Sequence, residues 1–105
     1  MHTVPLTLIT IVGEAVLAEP LIRALHALGV SGHTLSEARG QGSRGRRTGE
    51  IPGDNVRIET IVDAALADRI FALLAETYFP NYAVVAWSTA IQVVRGEKYV
   101  PPPRG

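Results

Sequence analysis

A chain of 105 residues with 47% hydrophobic content has enough apolar material for one core and too little length for two, so a single domain over residues 1–105 is expected. Its ten basic and ten acidic residues cancel to a formal net charge of zero, which removes any bulk attraction to nucleic acid or to an acidic membrane surface. With no cysteine, disulfides, thiolate metal sites and cysteine nucleophiles are excluded together, and the redox compartment stays open.

The first apolar run, Leu6 to Val12, is β-branched and nearly continuous, the pattern of a strand at the centre of a sheet. It is preceded by no cationic segment and is broken by Thr7, Thr10 and Glu14, so it reads as a strand entering a helix and not as a signal peptide. No stretch approaches the ~20 apolar residues of a membrane span, and the cytoplasm is the expected compartment. From Glu14 to Leu28 the period changes: Leu21, Ala24, Leu25 and Leu28 form a helical stripe. Pro20 fits the first turn of that helix, but would kink one that begins near Glu14; Gly29 is its stop.

The segment HTLSEAR is moderately strand-like, and after the turn signal IPGD the segment NVRIETIV alternates, with Val56, Ile58, Thr60 and Val62 on one face and Arg57, Glu59 and Ile61 on the other. Asp63 is a plausible N-cap for a second helix whose predicted inner face is Leu66, Ile70, Leu73, Leu74 and Thr77, ended by Pro80. Ala83 to Val94 reads as a last strand, and the segment from Arg95 to Gly105, with three successive prolines, as a tail that projects or packs as a stiff strap. The order βαββαβ is that of an α+β ferredoxin-like fold, an antiparallel four-stranded sheet with two helices on one face. Strands apolar on both sides, beneath helices that cover one side only, predict oligomerisation through the uncovered face.

Between the second and third strands, where two to five residues suffice for a hairpin, lies a far longer connection, about residues 40–54. Four arginines and four glycines collect between Ala38 and Glu50, with no acid between Arg39 and Gly49. Glycines allow backbone N–H groups to approach a ligand closely, and Arg44, Arg46 and Arg47 carry planar forks suited to phosphate. Three readings stand: a solvated hairpin loop, an anion or phosphate site, and a protein-docking arm. Neither a Walker loop nor a dinucleotide-binding glycine fingerprint is present. Other features have plain alternatives too. Glu59 beside Arg57 suits cross-strand ion pairs, Trp87 and Tyr82 suit core or interface packing, and Lys98 and Tyr99 suit pinning of the tail. His26 reads as a solvated or interfacial helix residue, and His2, His26 and His33 make no metal spacing.

Taken in order, GHTLSEARGQGSRGRR, NVRIETIV, ADRIFALLAETYFPNYAVVAW and VVRGEKYV resemble the PII signalling superfamily from about Leu6 to Tyr99, and within it the PII-like branch of carboxysome-associated and bicarbonate-transporter-associated proteins. The resemblance implies a homotrimer with sheets facing inward, a T-loop at about residues 40–54, and three inter-subunit clefts that each take an adenine nucleotide. Gly40, Gly42, Ser43 and Arg44 match the motif at the loop base that wraps ribose and phosphates, and Arg47 the second phosphate-pairing arginine. Thr34 matches a contact to the adenine edge, and Glu59 and Ile61 the lining of ribose and base. Asn81, Tyr82 and Ala83 match the B-loop with which a neighbouring subunit closes the cleft. Arg95 and Lys98 match a C-terminal segment that reaches the phosphates.

Nitrogen-sensing members carry a modified T-loop residue and a glycine- and lysine-containing B-loop, and neither is found here, which argues against 2-oxoglutarate signalling. The cysteine-bearing C-terminal loop of many transporter partners is replaced by VPPPRG, which puts redox regulation in doubt and moves the match toward the carboxysome-associated type. That type implies AMP or ADP as effector, with ATP and cyclic AMP as alternatives, no tightly bound cofactor, and bicarbonate as a candidate co-ligand. The implied role is regulation of inorganic-carbon uptake or carboxysome function through the T-loop, without catalysis. Expected partners are a bicarbonate transporter, which gives the only link to a membrane, or a carboxysome component; no nucleic acid is expected. The rival readings are a trimeric metal-responsive protein and a nucleic-acid-binding module with the same fold.

Overall fold

The computed structural model describes residues 1–38 and 55–99; residues 39–54, with the expected T-loop, and residues 100–105 lie outside it. Strand β1 (Thr3–Glu14) is longer than the apolar run that announced it and occupies the middle of the sheet, paired antiparallel on both sides. Its partners are β3 (Asn55–Val62) and β4 (Val84–Val94), and β2 (Thr34–Ala38) pairs with the far side of β3, giving the order β2-β3-β1-β4. This is the ferredoxin-like arrangement that the order of elements predicts.

Alternation along β1 divides its side chains between two faces. Ile9 and Ile11 join Ile58 and Val62 in a core against the helices, which contribute Leu21, Leu25, Ala67 and Ile70. Ile9, Leu25 and Ile70 have no exposed surface. Helix α1 (Ala18–Leu28) begins after a 3-10 turn at Ala15–Leu17, four residues later than Glu14, so Pro20 sits in its first turn and no kink arises. Gly29 ends it at φ 113°. Its N–H bonds the His26 carbonyl and the Val30 N–H bonds the Leu25 carbonyl, both at 3.1 Å, the paired bonds of a Schellman stop. Val30 and Leu25, buried together in the core, add the apolar contact that accompanies that motif.

Helix α2 (Ala64–Leu73) is capped as expected: extended Asp63 accepts a bond from the Leu66 N–H on Oδ1 at 2.8 Å. Asp63→Ala is expected to lower stability by about 1 kcal/mol and Asp63→Asn by much less, read from urea denaturation midpoints. The inner face differs from the predicted one. Ala67, Ile70, Leu74 and Tyr78 are buried, whereas Thr77 is exposed. The cause is a π-helical turn at Leu74–Tyr78, in which the Phe79 N–H bonds the Leu74 carbonyl at 2.9 Å. That wider turn keeps residues four apart in line, so Tyr78 takes the inward place expected for Thr77.

Among the described residues, no α-helix covers the opposite face of the sheet. That face carries Leu8, Thr10 and Val12 from β1, Glu59 and Ile61 from β3, Thr34 from β2, and Val85 and Trp87 from β4, as the register requires. Val85 is 54% and Trp87 41% exposed, so Trp87 is no core residue of the single chain. One end of this face is covered by the chain itself. After β4, Arg95 adopts a left-handed φ of 64° and a 3-10 turn, Gly96–Tyr99, folds back over it. Gly96 is buried there; a Cβ on it would stand 2.7 Å from the Val4 Cβ and 3.3 Å from Leu6 Cδ1. Thus the first part of the tail packs and does not project.

Candidate functional site

Thr60 points toward the helices, where its hydroxyl donates to the Gly32 carbonyl at 2.7 Å and fixes the turn that enters β2. With that turn held, Thr34 stands opposite Glu59, and Ile61 lies one inter-side-chain step further along the same face. Together with Leu8, His33 and Tyr99 they line a cavity of about 280 Å³. The structure therefore brings together three of the predicted site residues, Thr34, Glu59 and Ile61. Leu8 and Ile61 give it apolar walls, Tyr99 an aromatic one, and Thr34 a hydroxyl that both donates and accepts. Glu59 is half-buried and, among the described residues, makes no ion pair, with Arg57 on the same strand or with a residue across the sheet. A carboxylate beside a hydroxyl, between apolar and aromatic walls, suits a flat heterocycle bearing a polyol. The volume lies just below the ~300–1,000 Å³ of a complete small-molecule site.

A second cavity of about 240 Å³ adjoins the first across Ile61 and Tyr99 and is lined by Ser31, Asp63, Leu66 and Lys98. The Lys98 ammonium lies 5.0 Å from the centre of its own neighbour's ring, Tyr99. Lys98 thus sits at the Thr34 end of the sheet, opposite the end where Ala38 pairs with Asn55 and the long loop departs. Arg95 is exposed at the end of β4 and lines neither cavity.

Asn81, Tyr82 and Ala83 lie elsewhere. They lead into β4, on the far edge of the sheet from β2, next to the Gly13 end of β1. The Asn81 and Tyr82 N–H groups both bond the Tyr78 carbonyl, at 3.2 and 3.0 Å, and the Ala83 N–H bonds Glu14 Oε2 at 2.9 Å. Their backbone donors are therefore engaged within the chain, which leaves carbonyls and side chains for any ligand; Tyr82 is 39% exposed. Gly40, Gly42, Ser43, Arg44 and Arg47 lie outside the described residues. Sequence reasoning missed Leu8, Gly32, His33 and Tyr99 as lining residues. The signal for the first was its place on the Glu59 face; for Tyr99 the sequence offered pinning of the tail, but not which face or cavity the tail would meet.

A ferredoxin-like sheet with Val85 and Trp87 exposed on one face, and a cavity lined by Thr34, Glu59 and Ile61 at its β2–β3 side, is the architecture that sets the class of this protein. The family model for the nitrogen regulatory protein P-II matches residues 6–98, and the chain belongs to that family. A protein described as PII-like and signalling, from Thermus thermophilus, has 50% sequence identity and a TM-score of 0.82 over 95% of this chain and 100% of its own. CPII, a PII-like protein from Thiomonas intermedia bound to ADP and bicarbonate, has 25% identity and a TM-score of 0.82 over 94% of this chain and 98% of its own. The same protein bound to ADP, AMP and bicarbonate has 24% identity and a TM-score of 0.78, over 90% and 98% of the two chains. No curated protein sequence matches the chain. Among the described residues no helix is long and apolar enough to cross a membrane.

Proposed function

We propose that this chain is a cytoplasmic, non-enzymatic sensor that binds an adenine nucleotide, AMP or ADP first, in clefts between the subunits of a homotrimer. The observation that carries the reading is the half-cleft of Thr34, Glu59 and Ile61 beside an uncovered apolar face. The base lies against Ile61 and Thr34, and Glu59 accepts from the ribose. β2 then leads over about 13 Å, four residues at the strand rise, to the root of the loop, where Arg44 and Arg47 meet the phosphates. Asn81, Tyr82 and Ala83 of a neighbouring subunit close the cleft. Occupied, the glycine- and arginine-rich loop orders around the phosphates and presents a different surface to its partner. The ligands seen in CPII support the nucleotide and make bicarbonate the candidate co-ligand. By the resemblance, the regulated process is inorganic-carbon uptake or carboxysome function, and the partner a bicarbonate transporter or a carboxysome component.

Calorimetric titration with AMP, ADP, ATP and cyclic AMP, each with and without bicarbonate, tests this. Saturable binding near one nucleotide per chain is expected. Glu59→Ala removes a charge-assisted bond worth about 1.5–3 kcal/mol and should weaken it roughly 10- to 100-fold, with Arg44→Ala and Arg47→Ala acting in the same direction. Wild-type protein that binds none of the four would overturn the reading.

A further inference from the structure

Two side chains to which the proposed nucleotide reading gives no role face each other across the end of α1, one of them, His33, also a lining residue of the first cavity. His26 Nε2 lies 3.2 Å from His33 Nδ1, with ring centroids 5.3 Å apart and the rings at 74°. We propose that this pair is a transition-metal site, holding a borderline divalent ion such as Zn²⁺ between the two imidazoles, with water or a small exogenous ligand in the remaining positions.

The separation is the first support. Two nitrogens ligating one zinc at ~2.05 Å with a tetrahedral angle stand about 3.3 Å apart. The pair is already spaced as two such ligands, and modest rotation of exposed rings turns both lone pairs toward a shared ion. The second support is the framework behind it. His26 belongs to the last turn of α1, its carbonyl held by the Gly29 N–H at 3.1 Å. Buried Val30 ties the connecting turn into the core, and Gly32, next to His33, is held by the Thr60 hydroxyl at 2.7 Å. Both ligands are thus fixed at their Cα positions before a metal arrives, and the ordering cost of binding falls mainly on the two rings. Imidazole is a favoured ligand of zinc, copper and nickel. One of the two nitrogens carries the proton of the present hydrogen bond, so that ring must take its other tautomer, with the proton on the far nitrogen, for both to coordinate. Among the described residues no third ligating side chain joins the pair.

The sequence separates these residues by seven positions across a glycine-containing turn, which is why a spacing argument passes over them. His2 serves as an internal control, since it lies 3.5 Å from Glu97 and apart from the pair. The experiment is calorimetric titration of the untagged full-length chain with ZnCl₂, run beside one- and two-dimensional proton NMR of the histidine rings. Expected are saturation at one zinc per chain, perturbation of the His26 and His33 ring signals, loss of saturable binding in both His26→Ala and His33→Ala, and retention in His2→Ala. Both histidines are exposed, so the variants should fold, which circular dichroism checks. Absence of saturable binding by the wild type overturns the proposal, as does wild-type binding in either pair variant or its loss in His2→Ala. None of these readouts requires nucleotide, so failure here leaves the nucleotide reading standing, and the reverse.

Discussion

Trp87→Asp is expected to convert the assembly to folded monomers and to abolish nucleotide binding in the same step. Trp87 stands on the helix-free face, opposite Thr10 and in one cross-strand row with Glu59, and it is 41% exposed in the single chain. Val85, on the same strand and face, is 54% exposed. An aromatic and a β-branched side chain on the open face of an edge strand cost solubility unless a second copy covers them. An aspartate there must either be buried unpaired, at several kcal/mol per subunit, or hold the subunits apart. Within the chain the substitution removes no core contact, because the core lies on the other face around Ile9, Ile11 and Ile58, so far-UV circular dichroism should be unchanged. Sedimentation velocity gives the mass. Loss of nucleotide binding follows from the proposed reading, in which Thr34 and Asn81–Ala83, at opposite edges of one sheet, come together between copies. A monomer that still binds ADP at wild-type affinity would show that the half-cleft suffices alone.

The fold was legible because its determinants are local. Asp63 before an apolar stripe, Gly29 after one, and the alternation of NVRIETIV each name an element by backbone chemistry that acts over a few residues, and the cap bond, the left-handed stop and the burial pattern of β3 follow. Thr77 was misplaced because the stripe was drawn at a regular α-helical period, whereas Leu74–Tyr78 widens to a π turn that no residue type announces. The site was partly legible. Thr34, Glu59 and Ile61 were singled out through the resemblance, and their convergence depends on register, which alternation on one face constrains. Tyr99, the shared wall of two cavities, depends on a chain reversal at Arg95, a non-glycine residue with φ 64°, and the His26–His33 contact depends on how a turn returns to the end of its helix. Both are tertiary outcomes without a local code.

Gly96→Val is expected to weaken nucleotide binding without touching the nucleotide. Gly96 does not need its glycine for backbone freedom, since the left-handed residue of this turn is Arg95. It needs it for space: a Cβ would lie 2.7 Å from Val4 Cβ and 3.2 Å from Val4 Cγ2, atoms near the root of a side chain in a paired strand that cannot swing away. Overpacking of this kind costs about 1–3 kcal/mol. The cheapest relief is for the turn to lift from β1, because Val4 lies in a strand held by its pairing to β4. Lifting carries Lys98 and Tyr99 away from Ile61 and opens the wall common to both cavities. Thermal melting at matched protein concentration should register the stability loss, with the concentration fixed because assembly contributes to Tm. Calorimetry should register a drop in ADP affinity larger than that of Lys98→Ala, which removes a charge but leaves Tyr99 in place. Destabilisation with wild-type ADP affinity would separate the tail from the site and leave β2 and β3 as the whole of this chain's half-cleft.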